Sequence, residues 1–281
     1  MNKLTTDKRR AVVAALVEGN SIRATCRMTG IAKGTVLKLV ADLGRVCQDY
    51  QDATLRGLTC RRVQCDEIWS YIGMKQKTAA RKGRMDAGDI WTWTAIDADS
   101  KLAVAWKVGD RGASTAYDFM QTIADRLANR IQLTTDGHKV YIEAVEAAFG
   151  SEIDYSMLIK LYGAERPGEA RYSPAVCIGT MTQCCSGDPD PKHVSTSYVE
   201  RQNLTMRMSM RRFTRLTNAF SKKAENHAHA VAIHFMWYNF GRIHQTLRVT
   251  PAMAAGVTDK LWSLDDVIGL LEATEKKAQS N

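Results

Sequence analysis

Three carboxylates in this sequence stand where a carboxylate needs a reason. The first is Asp66, in the middle of Val63-Gln64-Cys65-Asp66-Glu67-Ile68-Trp69-Ser70-Tyr71-Ile72-Gly73. That stretch is rich in β-branched and aromatic residues, has strand length and ends on glycine, so it reads as a strand in the middle of a sheet. The second is Asp136, which closes Ile131-Gln132-Leu133-Thr134-Thr135. The third is Glu200, in Ser197-Tyr198-Val199-Glu200-Arg201-Gln202-Asn203. A carboxylate buried without a hydrogen-bond donor, a cation or a metal is costly. We read Asp66, Asp136 and Glu200 as three acids that meet at one metal site. The alternative for Asp66-Glu67 is a strand-edge pair of acids neutralised by a lysine, since ion pairs also fix buried acids.

The elements that must deliver these acids follow from the same pattern. After the first strand, Ile90–Ile96 and Leu102–Val108 read as two more strands, joined by the turn Asp97-Ala98-Asp99-Ser100. Asp97 is the nearest impostor for a catalytic acid, but a turn prefers Asp and Ser in any case. Ser114 is placed to cap a helix running to about Asn129. A short strand then carries Asp136 at its C-terminal end, and a helix over Val140–Phe149 covers the sheet. A meander of strands followed by strand–helix alternation predicts an α/β fold with a mixed sheet. In such sheets ligands bind at the carboxyl ends of the strands, where Asp136 falls.

Residues 1–45 read as three helices: Thr6-Asp7 capping a helix to Glu18, Ser21 capping Ile22–Met28, and a third from about Ala32 to Leu43. Two helices joined by a tight turn, here Thr29-Gly30-Ile31, match the helix-turn-helix pattern. In that pattern the last helix enters the DNA major groove. Lys33, Thr35 and Lys38 would be its readers, while Val36, Leu37, Val40 and Leu43 face the core. A small helical bundle with no DNA role is the alternative. Residues 46–62 read as a linker, 63–255 as the catalytic domain and 256–281 as a helical tail.

The remaining segments are read for charge and flexibility. Lys75–Arg84 holds five basic residues and no acid, and reads as an exposed hairpin loop. Residues 163–195 are rich in Gly, Pro, Ser and Asp and read mostly as loop, with a short strand at Val176-Cys177-Ile178. From Tyr198 the chain turns helical. Arg201 to Ala224 carries Arg201, Arg207, Arg211, Arg212, Arg215, Lys222 and Lys223 with no acid, a one-sign run that favours a polyanion. Another helix, about 225–240, holds His227, His229 and His234, read as surface or core histidines rather than ligands.

The totals agree with a DNA partner. The chain has 281 residues, 45% of them hydrophobic, enough for a sizeable core, and a formal net charge of +9 that favours nucleic acid. Its seven cysteines include no Cys-x-x-Cys pair, which argues against a zinc ribbon or a disulfide framework and for reduced thiols in a cytoplasm. The apolar run Ala11–Val17 is too short to span a membrane.

Taken in order, Asp66-Glu67-Ile68-Trp69-Ser70, Thr135-Asp136-Gly137 and Val199-Glu200-Arg201-Gln202-Asn203 resemble the motifs of DDE-type transposases. The similarity is greatest to bacterial transposases of the insertion-sequence-one family. Tyr238-Asn239-Phe240-Gly241-Arg242-Ile243-His244-Gln245-Thr246-Leu247, followed by Thr250-Pro251-Ala252, resembles the end of integrase-like cores. The resemblance spans about 60–255 and implies a ribonuclease H-like fold in a bacterial enzyme that binds transposon ends and joins them to target DNA. It implies Asp66, Asp136 and Glu200 as catalytic ligands of two divalent ions, magnesium or manganese, with Arg201, Arg207 and Arg211 along the DNA. It also implies a homo-oligomer on double-stranded DNA, located with the nucleoid. Two other functions fit parts of the pattern: a structure-selective nuclease that stops at hydrolysis, and a helix-turn-helix regulator without catalysis.

Overall fold

A computed structural model describes residues 3–163, 176–214 and 218–280. The chain opens with α1 (Thr6–Val17), α2 (Ile22–Thr29) and α3 (Lys33–Thr54), then enters the sheet at β1 (Arg62–Ile72). After the short α4 (Gln76–Arg81) come β2 (Gly88–Asp97), β3 (Ala103–Gly109), α5 (Ala113–Ala124), β4 (Ile131–Asp136), α6 (Val140–Phe149), β5 (Ile153–Tyr162) and β6 (Cys177–Ser186). Helix α7 (Ser197–Ser209) and α8 (Ala224–Met236) follow, the latter running into a wide π-turn over Trp237–Gly241. Helices α9 (Pro251–Ala254) and α10 (Leu264–Ser280) close the chain.

The sheet has six strands in the order β3-β2-β1-β4-β5-β6. Strands β1, β4 and β5 run parallel; β2, β3 and β6 are antiparallel to their neighbours. This is the mixed α/β sheet flanked by helices that the sequence predicts, with β1 internal. Its residues Val63, Cys65 and Ile68 are buried as a central strand requires. Helices α5 and α6 pack together, and Trp93 of β2, Phe119 of α5 and Tyr141 of α6 meet ring to ring. Helix α7 lies along β1: Gln64 Oε1 accepts from the amides of Tyr198 and Val199, at 2.8 and 3.2 Å.

Several expectations change. Helix α3 does not stop at Leu43 but continues to Thr54, so the expected linker at 46–62 is helix over its first nine residues. Its Cys47, Gln51 and Leu55 are buried, spaced four apart on one face, and Gln51 Nε2 donates to the Ala232 carbonyl of α8 at 3.2 Å. Where α3 crosses α8, a Cβ on Gly44 would come within 2.5 Å of His229 Cβ, so only glycine permits the approach. The boundary drawn at residue 45 therefore falls inside one continuous helix packed on the rest of the fold. The tail, expected to be helical, holds α10, which returns onto α1, with Arg9 bonded to Glu275 at 3.0 Å and Arg10 to Asp265 at 2.7 Å.

Smaller corrections have local causes. The first helix is capped by Thr5, whose hydroxyl accepts from the Lys8 amide, rather than by Thr6-Asp7. Ser114 is inside α5, whose N-cap is Gly112. Within Lys75–Arg84, Gln76–Arg81 forms α4 instead of a hairpin loop, anchored by buried Ala79. In the expected loop at 163–195, the strand begun at Val176-Cys177-Ile178 is the ten-residue β6, paired along β5. Residues 164–175 of that stretch, and Arg215, lie outside the described residues. His227 and His234 are core histidines, and burial drives both down to about 3.

Candidate metal centre

The parallel ladder of β1 and β4 runs as far as Cys65 against Thr135. The next residue on each strand is an acid: Asp66 on β1 and Asp136 at the last position of β4. The register thus sets two carboxylates side by side at the carboxyl end of β4. Glu67 is the third member. Neighbouring residues of a strand point to opposite faces, but β1 and β4 no longer pair at this level. One oxygen each from Asp66, Glu67 and Asp136 lies within 4.8 Å of the others.

The hydrogen bonds leave this cluster short of positive charge. Asp66 Oδ1 accepts from the Glu67 amide and Oδ2 from Asn203 Nδ2 of α7, both at 2.8 Å. Asp136 Oδ1 accepts from the His138 amide at 3.0 Å. The only guanidinium among the described residues that reaches the cluster is Arg111, with Nε 3.0 Å from Glu67 Oε2 and Nη2 3.5 Å from Asp136. Arg111 is about 39% exposed and stacks on Trp91, whereas the Glu67 side chain is fully enclosed. Glu67 Oε1 is buried with no partner, and so is Asn203 Oδ1. The Tyr141 hydroxyl faces Glu67 without closing a hydrogen bond of ordinary geometry.

Acids so placed resist ionisation. Burial, then repulsion from Asp136, pushes the Asp66 carboxyl up to about 6, against the pull of the Glu67 amide and Lys160. Burial and Asp136 likewise push Glu67 up to about 7, with Arg111 opposing. Several carboxylate oxygens around an orphaned buried acceptor suit a hard divalent cation such as magnesium or manganese, so the donor set fits a metal ion. A thiolate does not enter: burial raises the Cys65 thiol well above its ordinary range.

Glu200 is close to the cluster without belonging to it. It sits in the first turn of α7, three residues before Asn203 and on the same side of the helix. Its Oε1 is taken by Lys160 of β5 and by the Thr196 hydroxyl. Of the three acids expected to meet, the structure brings Asp66 and Asp136 together and holds Glu200 beside them on a lysine. Glu67, Asn203, Arg111 and Lys160 were missed. Two were within reach of the sequence: Glu67 shares the apolar strand that made Asp66 suspect, and Asn203 is one helical turn from Glu200.

The expected DNA contacts are dispersed. Lys33 and Thr35 are exposed on the first turn of α3; Lys38 is exposed and paired with Asp42 at 2.6 Å. Arg201 and Arg211 are exposed, and Arg207 is partly buried. Arg212, in the same basic run, has left the helix: it lies in a single 3-10 turn after α7 and donates to Ser221 Oγ and the Asn226 carbonyl. Burial lowers its guanidinium to about 10.

No known protein family matches the chain, and no curated protein matches it. Among the described residues, no helix is long and apolar enough to cross a membrane.

Proposed function

We propose that this chain is a metal-dependent DNA strand transferase with a ribonuclease H-like core, a transposase of the DDE type similar to the insertion-sequence-one family. The observation that carries the reading is the meeting of Asp66 and Asp136 across adjacent parallel strands, beneath a helix that presents Glu200 and Asn203. The strand order, with β2 and β3 on one side of a parallel β1-β4-β5 core and antiparallel β6 on the other, is compatible with that fold.

Asp66 and Asp136, with Glu67 or Glu200, would hold the ions. Bound divalent ions supply activation of an oxygen nucleophile and stabilisation of the leaving oxygen of a phosphodiester. The chain's own residues do the rest. Asn203 fixes the Asp66 carboxylate, Arg111 orients Glu67 and Asp136, and Lys160 neutralises Glu200. Arg201, Arg207 and Arg211 supply phosphate contacts along DNA, and Lys33, Thr35 and Lys38 supply contacts to the element ends.

The test is an assay of cleavage and joining on a duplex carrying a pre-cut end, with magnesium or manganese. Asp66→Asn, Asp136→Asn and Glu200→Gln should each lower product at least about a thousandfold while duplex binding persists. Near-normal activity in any one removes that residue from the site. Product that stops at hydrolysis identifies a nuclease instead. Duplex binding with no metal-dependent chemistry in the unaltered chain leaves the regulator.

A further inference from the structure

The far flank of α7 carries a second polar cleft. Taking about 100° per residue, Thr205 and Tyr198 project from the side of α7 away from Glu200, at roughly 140° and 160° around the axis. There they line a cleft of about 530 Å³, closed on its other side by the β2–β3 turn and by the segment 242–246 that follows the π-turn. Three cations line it, Lys101, Arg201 and Arg242, together with His244, and no aspartate or glutamate does. Among the described residues none of the three is ion paired.

The cations are held but not neutralised. Lys101 Nζ sits 3.4 Å from the centre of the Tyr198 ring and donates to the Ala98 carbonyl. Arg242 donates to Ser209 Oγ at 3.2 Å, and the Arg201 side chain is exposed. His244 Nδ1 is buried without a partner. Burial first, and then Lys101, Arg201 and Arg242, lower that imidazole. Three like charges therefore converge where the fold provides no acid, which is the electrostatic arrangement a phosphate relieves.

We propose that this cleft grips the phosphodiester backbone of duplex DNA on the flank of α7 turned away from Asp66 and Asp136. The inference rests on the function proposed above and adds Lys101 and Arg242 to Arg201 as one phosphate-gripping surface, with Glu200 on one flank of α7 and the cleft on the other.

The experiment is a titration of the full chain with a labelled 25-base-pair duplex at several salt concentrations. Each phosphate contact contributes about 0.9 to the slope of log affinity against log salt. Arg201→Gln/Arg242→Gln should lower the slope by about two contacts and weaken binding at least tenfold at low salt. Lys107→Gln/Lys260→Gln removes the same charge from two cations already paired with Asp118 and Asp266, and should leave the slope unchanged. If the Arg242 variant melts early because its bond to Ser209 is lost, Lys101→Gln/Arg201→Gln carries the same test. An unchanged slope in the cleft variants, an equal fall in both pairs, or no duplex binding by the unaltered chain overturns the proposal. A cleft-dependent slope in a chain without metal-dependent cleavage keeps the cleft and removes the transferase.

Discussion

The two ends of strand β4 handle charge in opposite ways. Where the chain enters the strand, each buried or half-buried charge has its own opposite. Arg126, only 2% exposed, pairs with Asp52 of α3 and donates to the Val104 carbonyl. Arg130 grips Asp154 through two nitrogens, at 2.8 and 3.1 Å, and holds that carboxyl below its usual range. Where the strand ends, Asp136 joins Asp66 and Glu67 around one half-exposed arginine, and two of these acids are pushed up. The same sheet thus contains a balanced end, which holds the fold together, and an end short of positive charge, whose three acids fit a metal ion.

The largest effect expected from breaking this contrast is at the balanced end. Arg126→Ala removes a buried cation and its hydrogen bonds, and should cost roughly 3 kcal/mol of unfolding free energy in a urea titration. A loss near zero would mean the entry end is no more structural than the exit end. At the acidic end a substitution should do the reverse. Because Glu67 has a folded value of about 7 against an ordinary 4.5, its contribution to stability is complete below about 4.5 and is lost as pH rises through 7. Glu67→Gln should therefore stabilise the chain by about 1–2 kcal/mol at pH 8, with the gain vanishing toward pH 4.5. A destabilised Glu67→Gln at pH 8 would show that Arg111 already satisfies the acid.

The smallest effect sharpens the contrast with a cation. Magnesium at ten times its dissociation constant should add about 1.4 kcal/mol to stability at pH 7.5, read as a rise of a few degrees in melting temperature. The rise should disappear in Asp136→Asn and shrink at pH 5, where Asp66 and Glu67 are protonated. An equal rise in Asp136→Asn would locate the ion elsewhere.

The sequence revealed the acidic end better than the elements around it. Asp66 and Asp136 stood out because a charge in an apolar strand is rare, and the Val140–Phe149 helix was bounded by its own periodicity. The extension of α3 was hidden because its inward positions include Cys47 and Gln51, so a buried face read as polar linker. The extent of strand β6 beyond Ile178 was hidden for the opposite reason: Cys177-Ile178-Gly179-Thr180-Met181-Thr182 is an exposed edge strand with no buried alternation to betray it. Glu67 was weighed only as a strand-edge acid beside Asp66, because alternation places the two on opposite faces; they reach Asp136 together where the β1–β4 ladder ends. Arg212 was assigned to a helix that ends at Ser209, since nothing in the basic run marks the stop.

The unbroken α3 also behaves as a ruler. Its 22 residues, at about 1.5 Å of rise each, set its exposed first turn about 33 Å from the end that leads into the sheet. That is close to one turn of B-form DNA, about 34–36 Å. With Gly44 packing the shaft against α8, the function proposed above would put the reading turn at a fixed position relative to the acid cluster rather than on a tether. One added residue in that shaft would turn the reading end by about 100°, so spacing and phase on DNA would be written into the helix together.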